Sequence, residues 1–394
     1  MIGLFCFDGP LYKDKNGIYC NVTLTNEMFN RYFSVVDELI VVVRTFISDK
    51  TFKELNMKPL STDKIRIVEV ENFNTVSGFL TKRKKFEKEA KVYVAKADMI
   101  FARMPSNTSN SILKIARKLK KEYLVEVGGC AWDSYWNHGV MGKIIAPLMF
   151  YKERKYVKEA KFATYVTKEF LQKRYPSDGI STNCSNVYLQ TVDSSVLQER
   201  IKKIEYCNLK KVILGQAVNS IDVKYKGEHL VIQAMAELKK KGIYIEYQIA
   251  GPGNGKFLVE QAERFGVSEQ LNLIGTLKKE EIYLWYRNLD LYIQPSKQEG
   301  LPRSVIEAMS VGCPALGSNI AGIPELISKE CLFSPRKNDQ IVKSIENILN
   351  KKSMLEKARE NFERAKEYNI LDIEDRRKEI FLQYKSSVCR GERK

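Results

Sequence analysis

The feature that most constrains this chain is an alternation, met twice, of short and almost uninterrupted apolar runs with longer amphipathic stretches. In the first half the apolar runs fall at 2–7, 39–43, 65–70, 99–102, 123–127 and 162–166, with helix-period patterns near 20–33, 78–91, 107–121, 142–159 and 167–174. The second half repeats the scheme, with apolar runs at 211–215, 243–250, 271–274, 289–294 and 314–317 and helical patterns near 226–240, 256–266, 278–287 and 302–311. A strand buried on both faces reads as a continuous apolar run, as in parallel sheets covered by helices on either side. Two such series predict an α/β protein of two Rossmann-like domains whose parallel sheets face across a cleft. Length agrees, since 394 residues exceed what one hydrophobic core usually supports. The series pauses between about 190 and 210, where SSVLQERIKKIEYCNLKK is polar, and the expected domains are 1–195 and 205–370.

Other classes are disfavoured by composition. No apolar stretch approaches the roughly 18 residues of a spanning helix, and the start, MIGLFCFDGPLYKDK, reads as a first strand rather than a signal peptide. The eight cysteines include no C-x-x-C pair and are expected to be free thiols in a reducing compartment. With only His138 and His229 as histidines, a zinc site is not expected. The formal charge of +17 is unevenly spread: residues 82–174 hold 22 Lys+Arg against 9 Asp+Glu, a net +13. Composition leaves nucleic acid, an anionic membrane and an anionic substrate open as reasons for that block.

Residues 294–327, QPSKQEGLPRSVIEAMSVGCPALGSNIAGIPELI, are the most informative stretch. A strand ends at Pro295, and a loop carries Glu299 and Gly300. Pro302 suits a first helical turn, and Gly312 suits a left-handed stop. A loop-to-helix junction at the carboxyl end of a parallel strand is where doubly wound sheets bind ligands. The N–H groups of Gly300, Leu301 and Arg303, with the helix dipole, would favour an anion there. Glu307 follows within an apolar setting and needs partners, which ribose hydroxyls would supply.

This segment resembles the E-x7-E signature of retaining nucleotide-sugar glycosyltransferases with the two-domain GT-B fold, in particular glycosyltransferase family 4. The resemblance extends over the IEAM run, GIPE at 322–325 and the preceding DLYIQPS, and is most specific over about 205–370. It implies an acceptor domain at 1–195, a donor domain at 205–370, and a last helix, 371–394, packing back on the first domain. It implies that Glu299 contacts the donor sugar, that Glu307 binds the ribose, and that Gly300 and Leu301 hold the diphosphate. Lys226, in KYKGEHLVIQAM, matches the family's Lys-Gly element, whose cation stabilises the departing diphosphate. Where the family usually carries a second cation, an arginine, this chain has Gln216, and Lys224 is the candidate substitute. Gly251 resembles the family's glycine turn near the donor, and Ile274 with Leu277 the segment that touches the base. In the first half Gly17, in the loop after the first strand and ahead of a helical pattern, is the candidate glycine near the donor phosphates. The family's histidine near the reacting sugar has no match, and Asp133 and His138 are the nearby candidates, with Trp132, Tyr135 and Trp136 as a stacking surface for sugar rings.

No D-x-D motif ends a strand, so neither a metal nor another cofactor is expected. Lys226 and helix N-termini would take the metal's part. The implied activity is transfer, with retention, of a sugar from a UDP- or GDP-sugar to a glycan or a lipid-diphosphate-linked saccharide in bacterial capsule, O-antigen or exopolysaccharide synthesis. The basic block then suits an anionic membrane surface, with 142–161 alternating apolar and cationic residues. The protein is thus expected in the cytoplasm, at the inner face of the cytoplasmic membrane, and no nucleic acid is expected, because no reader motif accompanies the charge. The rival readings are an epimerase or hydrolase of the same fold, and a pathway protein that binds donor without transferring it.

Overall fold

The computed structural model describes residues 1–73, 76–187, 189–190 and 193–391. It divides into two compact units, Met1–Cys184 with Ile373–Lys394, and Ser185–Asp372. The first unit ends ahead of the polar stretch at 190–210, of which residues 191 and 192 lie outside the described residues.

The first unit is built on nine strands: β1 (Ile2–Lys13), β2 (Tyr19–Asn21), β3 (Glu38–Ile47), β4 (Lys58–Pro59), β5 (Ile65–Val70), β6 (Met99–Met104), β7 (Leu124–Val127), β8 (Phe162–Tyr165) and β9 (Ile180–Asn183). Seven run parallel in the order β5-β3-β1-β6-β7-β8-β9. Val41, Val42 and Val43 of β3 have no solvent exposure, the burial that their unbroken apolar run predicts. β1 continues past the predicted residue 7. After an irregularity between Phe7 and Leu11 it pairs with β2, which in turn pairs antiparallel with β4. The helix expected over 20–33 is therefore shorter. It spans Asn26–Asn30, begins at Thr25, whose side chain accepts from Met28 N, and continues as a 3₁₀ turn.

The last helix, Ile370–Gly391, lies for most of its length in the first unit. Phe381 packs at 5.1 Å from Phe101 and stacks at 5.6 Å on Tyr32 (centroid to centroid). The Tyr384 hydroxyl accepts from Ile100 N at 2.9 Å and donates to Glu122 O at 3.0 Å. The tail thus completes the core beneath β1, β6 and β7.

The second unit has one parallel sheet of β10 (Lys211–Ala217), β11 (Tyr244–Ala250), β12 (Leu271–Gly275), β13 (Leu291–Gln294), β14 (Ala315–Ser318) and β15 (Leu332–Phe333). Its order is β12-β11-β10-β13-β14-β15. Helices Ser194–Tyr206, Glu228–Lys240, Arg303–Ser310 and Lys351–Ala365 join this unit. Arg200 is buried and donates to Tyr286 O at 2.8 Å and Val311 O at 3.2 Å, and also to Leu289 O, so one guanidinium satisfies three carbonyls at the carboxyl ends of helices Lys279–Asn288 and Arg303–Ser310.

Replacing Phe381 by Ala should cost the first unit about 3–5 kcal/mol, the range for a fully buried aromatic side chain. Denaturant unfolding checks this, and a loss under about 1 kcal/mol would show that the C-terminal helix does not complete the core.

Candidate functional site

In the second unit the chain order reverses between β10 and β13: β11 and β12 extend the sheet on one side, and β14 and β15 on the other. Loops leaving two adjacent strands in opposite directions open a crevice at their carboxyl ends. The segment after β10 and the segment after β13 meet in that crevice, where Lys297 N donates to Tyr225 O at 2.7 Å. Gly227 makes the approach possible. Its φ is +86°, and a Cβ placed on it would lie 2.2 Å from Pro295 O.

This close passage brings Lys226 to Glu299, with Nζ 2.8 Å from Oε1 and each side chain only 11% exposed. Gln294, the last residue of β13, donates from Nε2 to the same Glu299 oxygen at 3.0 Å. Its orientation is set from the other end, because Oε1 accepts from Tyr292 OH at 2.8 Å and Ser304 Oγ at 3.3 Å. Just beyond, helix Arg303–Ser310 starts after Pro302. Its first N–H groups have no intrahelical acceptor, and its dipole adds positive potential at the same place. Gly300 is fixed by its carbonyl, which accepts from Gly322 N at 3.0 Å. Glu307 lies further along this helix, half-buried, and accepts from Tyr286 OH at 3.1 Å. Burial, and then the Glu307 carboxylate, hold the Tyr286 hydroxyl well above its ordinary range and push Tyr283 up to about 12. Glu307 is thus held on one side by the Tyr286 hydroxyl.

Lys226 and Glu299 therefore meet at the end of β13, with Gly300 and Leu301 next along the same loop and Glu307 on the helix that follows it. Two expectations are corrected. Gln216 is fully buried in β10, its Nε2 donates to Lys226 O at 3.2 Å, and its Oε1 accepts from Tyr247 OH. It props the Lys226 turn from below and has no solvent-exposed surface. Lys224, expected as the second cation, is turned toward an aromatic ring. Its Nζ lies 4.4 Å from the centre of the Phe257 ring, an arrangement that cation–π attraction favours. Gly251 packs with its Cα against Val218 O, where a Cβ would lie at 2.5 Å, and its N–H donates to Gly275 O at 2.8 Å. The turn after β11 is thereby tied to the end of β12, where Ile274 and, just beyond, Leu277 are half-buried.

The remaining predicted residues belong to the first unit. Gly17 sits in the hairpin turn between β1 and β2 at φ +78°, with Asp14 accepting from Asn16 N and Ile18 N. No helix starts there, so Gly17 serves the turn rather than a helix terminus. The correction follows from β2 occupying sequence read as helical. Asp133 lies in helix Ala131–Trp136, and burial raises its carboxyl while the Cys130 thiol and Arg174 act against that. His138 is exposed, just before helix Gly139–Glu159. Trp132 and Trp136 stack, with ring centres 5.1 Å apart.

Sequence reasoning did not find Gln294, Tyr286 or Glu228. A polar residue closing an otherwise apolar strand was the available signal for Gln294. Glu228 opens helix Glu228–Lys240, is buried, and has an Oε1 without a hydrogen-bond partner. Burial, assisted by Glu299 and opposed by Lys226, pushes its carboxyl up to about 8. Among the described residues, one acidic group is close enough to hold a metal, Glu330, Glu356 and Glu360, and all three carboxylates bond to Lys357 Nζ.

Comparison with known proteins places this geometry. A family model described as "Glycosyl transferases group 1" matches residues 217–366, which contain the whole crevice apart from Gln216. Protein CapJ of Staphylococcus aureus is 32% identical over 389 residues, covering 98% of this chain and 96% of CapJ. The amylovoran biosynthesis glycosyltransferase AmsK of Erwinia amylovora is 36% identical over 109 residues, 26% of this chain and 27% of AmsK. Among solved structures, sucrose-phosphate synthase from Thermosynechococcus elongatus superposes with a TM-score of 0.69 at 13% identity, covering 98% of this chain and 100% of that one. The chain is an enzyme, and it belongs to the group 1 glycosyltransferases. Its two parallel-sheet units match the GT-B fold.

Glu228 provides a pH test. Its folded-state carboxyl titrates near 8, above its ordinary value, so folding takes up a proton between those values. The stability it supports is fully present below the ordinary carboxylate range and is lost as pH rises toward about 8. Glu228→Gln should flatten this loss, and its melting temperature should exceed that of wild type increasingly up to about pH 8. Parallel melting curves against pH for the two proteins would contradict the assignment.

Proposed function

We propose that this enzyme is a retaining glycosyltransferase of the family 4 type, which moves a sugar from a UDP- or GDP-sugar to a glycan or lipid-linked saccharide acceptor. The observation that carries this reading is the buried Lys226–Glu299 pair at the head of helix Arg303–Ser310, with Glu307 on the same helix. On this reading the diphosphate lies at the N–H groups of Gly300 and Leu301 and on Lys226, Glu307 takes the ribose hydroxyls, and Glu299 takes the donor sugar's hydroxyls. Ile274 and Leu277 border the base. As the glycosyl–phosphate bond breaks, negative charge grows on the leaving diphosphate, where a lysine and a helix terminus are already placed. The leaving phosphate oxygen accepts the acceptor's proton, so Glu299 positions rather than deprotonates. No metal is required, because the fixed positive groups supply the charge.

The likeness to CapJ over nearly the whole chain and to the amylovoran enzyme AmsK supports a place in synthesis of a surface polysaccharide such as capsule, O-antigen or exopolysaccharide. Among the described residues no helix is long and apolar enough to cross a membrane. We place the enzyme at the inner face of the cytoplasmic membrane, with the basic block 82–174 toward anionic lipid. In the first unit, Asp133 and His138 are the proposed groups nearest the acceptor.

Nucleotide release, measured with and without a lipid-linked saccharide acceptor, tests the reading. Release should depend on acceptor. Lys226→Ala should lower kcat by about 10²-fold, the usual cost of removing a preorganised charge-stabilising donor, and Glu307→Ala should weaken nucleotide binding about tenfold or more. Release at full rate without acceptor would instead identify a hydrolase or epimerase. Donor binding without release would identify a non-catalytic binder, and unchanged nucleotide affinity in Glu307→Ala would overturn the site.

A further inference from the structure

Helix Gly139–Glu159 of the first unit is unusual for what it leaves in water. Val140, Met141, Ile144, Leu148 and Tyr151 are 75%, 54%, 66%, 64% and 67% exposed. At a helical repeat of about 100° per residue these five fall within one stripe about 100° wide. The opposite face carries Ala146, Met149, Glu153, Tyr156 and Val157, all buried. The helix is therefore fully packed on one side and apolar on the other. The other large apolar side chains exposed among the described residues, including Val22, Ile47 and Tyr206, are scattered at no more than two to an element.

The charges around the stripe are mostly positive. Exposed Lys143 projects along one edge, and in the last turns exposed Lys155 and Lys158 continue the stripe's own line, while Arg154 and Lys152 at the edges are half-buried, Arg154 donating to Arg174 O at 2.7 Å. The acids of this helix are Glu153, which is buried on the packed side, and Glu159 at the end, which is paired with Arg117 at 2.5 Å. Glu153 points away from the stripe, while Glu159, at about 100° per residue, falls on the stripe's edge past its last apolar residue and has its charge met by Arg117. A stripe of aliphatic and aromatic residues bordered by lysines is the composition of a helix lying in a bilayer interface, its apolar side among the acyl chains and its lysines at the headgroups. Protein interfaces, by contrast, are depleted of lysine around their apolar centres.

We propose that helix Gly139–Glu159 is a membrane-docking element that lies flat in an anionic bilayer surface, Val140, Met141, Ile144, Leu148 and Tyr151 entering the lipid and Lys143, Lys155 and Lys158 meeting acidic headgroups. This deepens the placement at the membrane given above and rests on that placement. It does not depend on the transferase chemistry. Docking through this helix would hold the first unit beside an acceptor anchored in the same surface.

The test is flotation of the full chain with vesicles of phosphatidylcholine, with and without phosphatidylglycerol. The wild type should float with the anionic vesicles and be released by high salt. Ile144→Ser with Leu148→Ser should lower vesicle binding by about tenfold or more, because two apolar contacts with the acyl region are lost. Lys143→Glu with Lys155→Glu should abolish the preference for anionic lipid. Both variants change exposed positions, so melting temperature and nucleotide binding should stay at the wild-type values, which separates failure of this proposal from failure of the donor site. Absence of wild-type binding, or undiminished binding of the Ile144/Leu148 variant, would overturn the proposal. So would light scattering that shows a wild-type dimer converted to a monomer by that variant, since the stripe would then be an interface between two copies.

Discussion

The ion pair between Lys226 and Glu299 is the interaction on which the second unit's crevice turns. Burying two charges costs several kcal/mol per ion before their attraction is counted, and such pairs are seldom net stabilisers. Its presence is better understood through what surrounds it. Glu299 also accepts from Gln294, Gln294 is held by two hydroxyls, and the lysine's turn is propped by Gln216. Gln294 and Gln216, which aim the pair, are themselves buried and each accepts from a buried tyrosine hydroxyl. On the proposed reading, a site built this way would meet an incoming diphosphate with little reorganisation, the condition for electrostatic stabilisation of such a leaving group.

The same logic explains where backbone choice becomes strict. The segments after β10 and β13 lie so close that Gly227 leaves no space for a side chain, and its positive φ turns the chain directly from Lys226 into helix Glu228–Lys240. Glu228, opening that helix beneath two existing charges, sits where burial disfavours a third, and its carboxyl is accordingly raised toward neutrality. His229 beside it is pushed down to about 4 by burial and by the nearby Lys297 and Lys224, so it is neutral at physiological pH. The two buried groups next to the Lys226–Glu299 pair, Glu228 and His229, therefore add no further charge beside it at neutral pH.

Much of this was legible in the sequence because parallel strands advertise themselves. Ile65–Val70 was bounded to the residue, and the other long strands differ from their apolar runs mainly at the ends. The elements that escaped were those without such a signal. β9 is an edge strand reading ISTN, and β4 and β15 have two residues each, too few to show a period. Around the site, Glu299 and Glu307 could be read because a carboxylate after a strand and another in an apolar helix are conspicuous. The tasks of Gln216 and Lys224 could not be read, since which way a side chain points depends on what packs behind it. Tyr247 under Gln216 and Phe257 beneath Lys224 come from elements tens of residues away. Gly17 was misplaced for a related reason: a hairpin pairing, set by long-range register, took residues whose local pattern resembles a helix.

The +17 charge, concentrated in the first unit, and the apolar stripe of helix Gly139–Glu159 give that unit a surface character distinct from the near-neutral donor-side sequence. The central claim nevertheless concerns the crevice, and a crystal structure of the protein with a bound nucleoside diphosphate tests it most directly. The account predicts phosphate oxygens within hydrogen-bond reach of Lys226 Nζ and of the Gly300 and Leu301 N–H groups, and both ribose hydroxyls on Glu307. A nucleotide bound elsewhere, with the Lys226–Glu299 pair undisturbed and Glu307 making no contact with it, would contradict it.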